Sequence, residues 1–150
     1  MARNMAYRIT EKCNGCGACH KLCPVDAITG DKKMRHVIVY DRCIECGACG
    51  RVCPVDALKD QFGISCAAVK KFLWERPQFD EMSCMSCRIC IDVCPTTCPG
   101  LSWASDSDSR HGRPYMADEK ACIGCGFCAR ECPVGAVTMV ARKLQLRFME

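Results

Sequence analysis

Sixteen of the eighteen cysteines fall into four runs of identical spacing. CNGCGACHKLCP covers Cys13 to Pro24, CIECGACGRVCP covers Cys43 to Pro54, CMSCRICIDVCP covers Cys84 to Pro95, and CIGCGFCARECP covers Cys122 to Pro133. Each reads C-x2-C-x2-C-x3-C-P, with proline directly after the fourth cysteine. Such cysteine density has three chemical explanations: disulfides, zinc or iron–sulfur clusters. Structural zinc takes cysteine pairs separated by a long gap, not runs of four. The spacing matches the one by which thiolates hold [4Fe–4S] cubanes, so the chain is expected to carry four such clusters and to move electrons one at a time.

The spacing also dictates how the backbone must run. Three cysteines two residues apart wrap a tight loop around one face of a cubane. The fourth is expected to start a short helix leading away and to bind the neighbouring cluster. Proline after it fixes φ for the turn that redirects the chain. Glycines at Gly15, Gly17, Gly47, Gly124 and Gly126 let backbone N–H groups approach the inorganic sulfides.

Composition narrows the setting of this chemistry. The formal charge of +4 counts every cysteine as a neutral thiol. A cluster with four thiolates carries roughly −2, so four would bring the chain to about −4. No basic stripe marks a nucleic-acid binder. MARNMAYRITEKC has no apolar core of a signal peptide, and no apolar stretch reaches membrane-spanning length. A cytoplasmic protein without a membrane span is the expectation.

Nineteen residues separate Cys23 from Cys43. They read as a short helical turn and a hairpin, with Val37-Ile38-Val39-Tyr40 as the best strand and Gly30-Asp31 as the turn. With its leading AYRITEKC strand, this gap length and CPVDA after both fourth cysteines, residues 6–58 closely resemble bacterial-type two-[4Fe–4S] ferredoxins. The second half, from Phe79-Asp80 to CPVGAVTMV, repeats the plan less faithfully and holds a longer gap. The resemblance implies an α+β fold of two tandem dicluster units: short antiparallel hairpins and short helices around the clusters. The expected division is 1–62 for the first unit, 63–78 for a helical linker, 79–140 for the second unit with an insertion at 96–114, and 141–150 for a C-terminal extension.

The resemblance also implies the ligand sets. One cluster takes Cys13, Cys16, Cys19 and Cys53, and its neighbour takes Cys43, Cys46, Cys49 and Cys23. In the second unit one takes Cys84, Cys87, Cys90 and Cys132, and the other Cys122, Cys125, Cys128 and Cys94. A nested arrangement, motif one with four and two with three, is the rival; the short gap between motifs one and two favours sequential pairing.

Cys98 repeats the C-x3-C-P step one register later, as CPTTCPG, and competes with Cys94 as fourth ligand. Only Cys94 keeps the common spacing, and the bland reading of Cys98 is a loop thiol. Cys66 reads as a small buried residue. The third motif lacks glycines and has Arg88, whose guanidinium near a cluster would raise its potential; a solvated arginine pointing away is the alternative.

Between the units Val69, Phe72 and Leu73 fall at i, i+3 and i+4, predicting an amphipathic helix over 65–75, capped by Ser65 and ended by Pro77. Trp74 on it is either packing or a docking residue. The 96–114 insertion, rich in serine and aspartate, reads as an exposed loop. The ARKLQLRFME tail alternates as a half-buried strand, suited to self-association by pairing with a neighbouring chain. His20, His36 and His111 read as isolated surface residues.

A substrate-transforming site would need an open iron position or convergent acid–base groups, and the motifs supply neither. The expected role is an electron-transfer subunit rather than an enzyme in its own right. Size and layout resemble the small iron–sulfur subunit of tungsten-dependent aldehyde oxidoreductase complexes, and also that of tungsten-containing benzoyl-CoA reductases. That resemblance implies a large catalytic subunit with a tungstopterin and a flavin subunit as partners. A freely diffusing ferredoxin serving several reductases is the alternative, and an assembly role a third.

Overall fold

The computed structural model describes residues 6–103 and 112–141. The chain divides into two compact units, Met1–Lys71 and Phe72–Glu150.

In the first unit β1 (Arg8–Ile9) pairs antiparallel with β4 (Leu58–Lys59), so the start and end of the unit meet. Between them β2 (Ile28–Thr29) and β3 (Val37–Ile38) form the central hairpin, with Ile28 opposite Ile38. Two short helices, α1 (Ala18–Leu22) and α2 (Ala48–Val52), pack on each other. The second unit repeats the order. β5 (Arg76–Phe79) pairs with β8 (Val137–Val140), β6 (Pro99–Trp103) pairs with β7 (Gly112–Met116), and α3 (Ile89–Asp92) meets α4 (Phe127–Arg130).

The helices are one turn long because the motif stops them at both ends. Each follows a residue in the left-handed region: Gly17, Gly47, Arg88 or Gly126. In the first unit Cys23 and Cys53 then turn extended, as a residue before proline must. Here the expectation needs correction: the fourth cysteine ends a helix in the first unit and follows directly after Val93 or Glu131 closes one in the second, and in no motif does it start one. Helices this short are not stable alone, so contacts made by their cysteines must hold them.

The cores are built largely from sulfur and small side chains. Cys19, Ile28, Ile38, Cys53, Ala57 and Leu58 form the first, with Tyr7, Ile9 and Val52 packed against it. Cys90, Cys128 and Val137 form the second, with Phe79, Ile91 and Met139 around them.

The helix predicted over 65–75 is not formed; only a 3-10 turn at Lys71–Leu73 appears. Tertiary hydrogen bonds outweigh the local pattern. Ser65 bridges to Lys59, the Cys66 N–H bonds the Leu58 carbonyl, the Ala68 N–H bonds Asp56 Oδ1 at 2.7 Å, and the Val69 N–H bonds the Arg51 carbonyl. The 63–78 segment is therefore divided. Residues up to Lys71 fold onto the first unit, whereas Pro77 lies in β5 opposite Met139. Trp74 is buried, not displayed for docking.

The 96–114 insertion is likewise not a loop throughout, since it supplies β6 and most of β7. A two-stranded ribbon has outer edges where Pro99 and Pro114 need no ladder donor. Residues 104–111, with His111, and the tail from 142 lie outside the described residues. Of the histidines read as surface residues, His20 is exposed but His36 is only 2% exposed. Its ring Nδ1 lies 3.1 Å from the Met34 carbonyl oxygen, and its ring is stacked obliquely on that of His20.

Candidate metal centres

The backbone of all four motifs is the same at two positions. The residue before the second cysteine is left-handed in each, with φ of 71° at Gly15, 59° at Glu45, 58° at Ser86 and 63° at Gly124. The residue after the second cysteine is left-handed too, at 76°, 72°, 67° and 77° for Gly17, Gly47, Arg88 and Gly126. Consecutive turns of this hand curl the chain into a concave nest of amide groups that suits an anionic centre. The third motif holds the same shape without glycine, and the Ser86 hydroxyl helps by donating to the Gly112 carbonyl.

Beyond each fourth cysteine the pattern repeats again. The residue three further on is left-handed: Asp26, Asp56, Thr97 and Gly135. That turn aims the next N–H back at the cysteine sulfur. Ala27 donates to Cys23 Sγ, Ala57 to Cys53 Sγ and Ala136 to Cys132 Sγ, each at 3.3 Å. The fourth such bond comes from the Cys98 N–H to Cys94. Amide donors of this kind favour the thiolate form of the sulfur they touch.

The side chains then gather in four sets, each mixing two motifs. One cavity is lined by Cys43, Cys46, Cys49 and Cys23, closed by Tyr7, Ile28 and Ile38. A second is lined by Cys84, Cys87, Cys90 and Cys132, with Leu101, Pro114 and Val137. A third holds Cys122, Cys125, Cys128 and Cys94, with Pro77, Met139 and also Cys98. In the last set Cys19 and Cys53 lie in the core of the first unit with Cys13 packed against them, and the exposed Cys16 also lies near Cys19. Below, each set is named by its middle motif cysteine: the Cys46, Cys87, Cys125 and Cys16 sites.

Crowded thiols resist ionising together. Burial first, then neighbouring cysteines, pushes Cys19 up to about 11 and Cys128 up to about 12. Cys49 rises further for the same reasons. Tyr7, against the Cys46 site, is raised to about 12, chiefly by burial. At the Cys125 site a hydrogen bond from Cys98 holds Cys122 low, at about 6, and keeps Cys98 itself protonated well above the usual range. Burial pushes Cys94 up, but the bonds it accepts from Cys98 and Thr96 outweigh that and leave it low.

A cation-rich iron–sulfur core would relieve this repulsion, and the donor sets suit one. No carboxylate or imidazole lines the three cavities. No disulfide joins any of the eighteen cysteines. The thiols stand around each cavity instead of meeting at a point; among the described residues no three His, Cys, Asp or Glu draw together to the span of one ion.

Three residues have outcomes the motif alone did not give. Cys98, read as a loop thiol or rival ligand, is 3% exposed and lines the Cys125 site. The signal was its place four residues after Cys94, where the other motifs have alanine. Cys66 is half-buried, with its sulfur against Gly50: a Cβ on that glycine would lie 2.8 Å from it. Arg88 is exposed, yet its residue forms part of the Cys87 cavity wall.

Each unit has a match among known protein families. Residues 3–59 match one family model described as a 4Fe–4S dicluster domain, and residues 76–137 match a second of the same description. A subunit of the ion-translocating oxidoreductase complex of Magnetococcus marinus is 51% identical over 35 residues, 23% of this chain and 19% of that protein. The equivalent protein of Shewanella sediminis is 44% identical over 39 residues, 26% and 21% of the two chains. The match thus spans about a fifth of these relatives' length. A chain in the formate dehydrogenase–heterodisulfide reductase–formylmethanofuran dehydrogenase complex of Methanospirillum hungatei aligns over 93% of this chain and 52% of its own, at 23% identity and a TM-score of 0.45. Among the described residues no helix is long and apolar enough to cross a membrane. The chain is an iron–sulfur electron-transfer protein of the 4Fe–4S dicluster ferredoxin family, built as two such domains in tandem.

Proposed function

We propose that the chain is the electron-conducting subunit of a multi-subunit oxidoreductase in the cytoplasm and that it holds four [4Fe–4S] clusters. The ligands are the sets named above: Cys13, Cys16, Cys19 and Cys53; Cys43, Cys46, Cys49 and Cys23; Cys84, Cys87, Cys90 and Cys132; Cys122, Cys125, Cys128 and Cys94. The observation that carries this reading is the mixing of motifs around each cavity, three cysteines from one run and one from its partner. It favours sequential pairing over the nested alternative, because Cys132 stands with Cys84, Cys87 and Cys90.

Each cluster, when bound, accepts and returns one electron. The protein's part is to fix the clusters, exclude water from their inner faces and set their potentials with amide and side-chain hydrogen bonds. With four thiolates per cluster no iron is left open for substrate, so the chemistry belongs to another subunit. The subunit reading draws support from the curated relatives, themselves named as subunits of an oxidoreductase complex.

The finer assignment is a tungsten-dependent aldehyde oxidoreductase complex, in which electrons pass from a tungstopterin subunit through this chain to a flavin subunit. It rests on size and layout. Anaerobic purification from the native host, with iron, sulfide and tungsten analysis and identification of co-purifying chains, tests both levels. Four clusters per chain with a tungsten-containing large subunit is the expected result. A lone monomer would favour the diffusing ferredoxin, and a large subunit without tungsten would remove the finer assignment.

A further inference from the structure

Three of the four sites follow one rule around the fourth cysteine. Four residues after Cys23, Cys53 and Cys132 comes alanine, whose N–H bonds the sulfur and whose methyl is buried: Ala27, Ala57 and Ala136. After Cys94 the same position is Cys98. Its amide keeps the common role, and its side chain puts a sulfur where the others have a methyl hydrogen.

That sulfur is not a stray thiol. Cys98 Sγ lies 3.4 Å from Cys94 Sγ, and it also hydrogen-bonds Cys122. Thr96 Oγ1 is 3.6 Å from both Cys94 Sγ and Cys98 Sγ, tying the pair together. Five thiols, Cys94, Cys98, Cys122, Cys125 and Cys128, line one cavity that needs four. Cys98 is also more buried than Cys94.

We propose that the cluster of the Cys125 site has two interchangeable fourth ligands, Cys94 and Cys98, and survives the loss of either. Exchange is balanced within the site. The iron–sulfur bond to one cysteine breaks as the bond to the other forms, and the proton of the incoming thiol passes to the outgoing sulfur. No electron leaves and no further reagent is needed. At the other three sites the same position is alanine, which has no donor to offer. The inference rests on the ligand sets proposed above.

The test uses the full chain loaded with clusters anaerobically, in five forms: unchanged, Cys94→Ala, Cys98→Ala, the double variant, and Cys132→Ala as the control whose neighbour is Ala136. Iron and sulfide per chain are measured, and oxidised samples are scanned by EPR for a three-iron cluster. The control and the double variant are expected to lose about one iron per chain and show the three-iron signal. Both single variants at the Cys125 site are expected to keep full iron and show none. A three-iron signal in Cys94→Ala matching that of the control would overturn the inference while leaving the ligand sets standing. Full iron in both the control and the double variant would overturn the ligand sets and the inference with them. The reduced EPR of the remaining clusters reports folding in each sample, and Cys94→Ser repeats the comparison should the alanine form not fold.

Discussion

At the scale of single residues, two glycines in the first motif share a left-handed backbone but not a neighbourhood. A Cβ on Gly15 would lie 2.4 Å from the Met34 nitrogen and 2.5 Å from the Lys33 carbonyl carbon, whereas one on Gly17 meets nothing within 4 Å. Gly17→Ala is therefore expected to cost roughly 1 kcal/mol, the conformational penalty alone. Gly15→Ala adds a backbone clash and should cost roughly 2–4 kcal/mol. Thermal unfolding of the loaded protein, followed by cluster absorbance, checks the order; equal losses would contradict it. Arg88 sits at the Gly17 position of the third motif with φ of 67°. Arg88→Gly is expected to raise stability by about 0.5–1 kcal/mol and to lower the potential of the Cys87 site. EPR-monitored redox titration tests the second effect, and unchanged potentials would show that the guanidinium faces solvent.

Elements were unevenly legible. The cysteine spacing and the β2–β3 hairpin could be read because both are local. Of the expected strand Val37-Ile38-Val39-Tyr40, however, only Val37–Ile38 is strand, and Tyr40 opens a 3-10 turn. The chain turns at Asp31 to Met34, beginning at the second residue of the expected Gly30-Asp31 pair. The helix over 65–75 misled because its apolar period is real but weaker than three hydrogen bonds from its N–H groups to residues further back in the chain. None of those partners, Leu58, Asp56 or Arg51, is visible from the segment's own pattern. The hairpin of β6 and β7 was hidden by the serine- and aspartate-rich stretch between its strands, which dominates the composition of the insertion. Asp56 gives a test of the tertiary override. Asp56→Ala removes the acceptor for the Ala68 N–H and puts alanine in a left-handed conformation, so it should cost roughly 1–3 kcal/mol, with faster amide exchange at Ala68 and Val69. Asp56→Asn, which keeps an acceptor and tolerates the left-handed φ of 49°, should leave exchange near the native rate.

For the whole molecule, the buried interior is thin without its metal. Among the described residues Leu58 is the largest side chain buried to below 2% exposure, and cysteines occupy much of both cores. Folding and cluster binding are thus expected to be one event. Complete removal of iron should abolish the tertiary circular dichroism signal and most amide protection; native-like spectra afterwards would refute the coupling. Buried thiols held above their usual range must also lose protons when iron binds, so uptake should release acid and grow harder as pH falls. Proton release on anaerobic reconstitution in weak buffer measures this directly.

The two domains share one further asymmetry. The middle cysteine of the first motif in each, Cys16 and Cys87, is exposed, while its counterparts Cys46 and Cys125 are partly covered. On the proposed ligand sets, a ligand sulfur at the surface would shorten the tunnelling path to anything that docks there, giving each domain one natural door for electrons. The same door admits dioxygen. The corners best placed for fast exchange with a partner are those where air should begin to dismantle the protein, and a subunit seated over them would serve as circuit and shield at once.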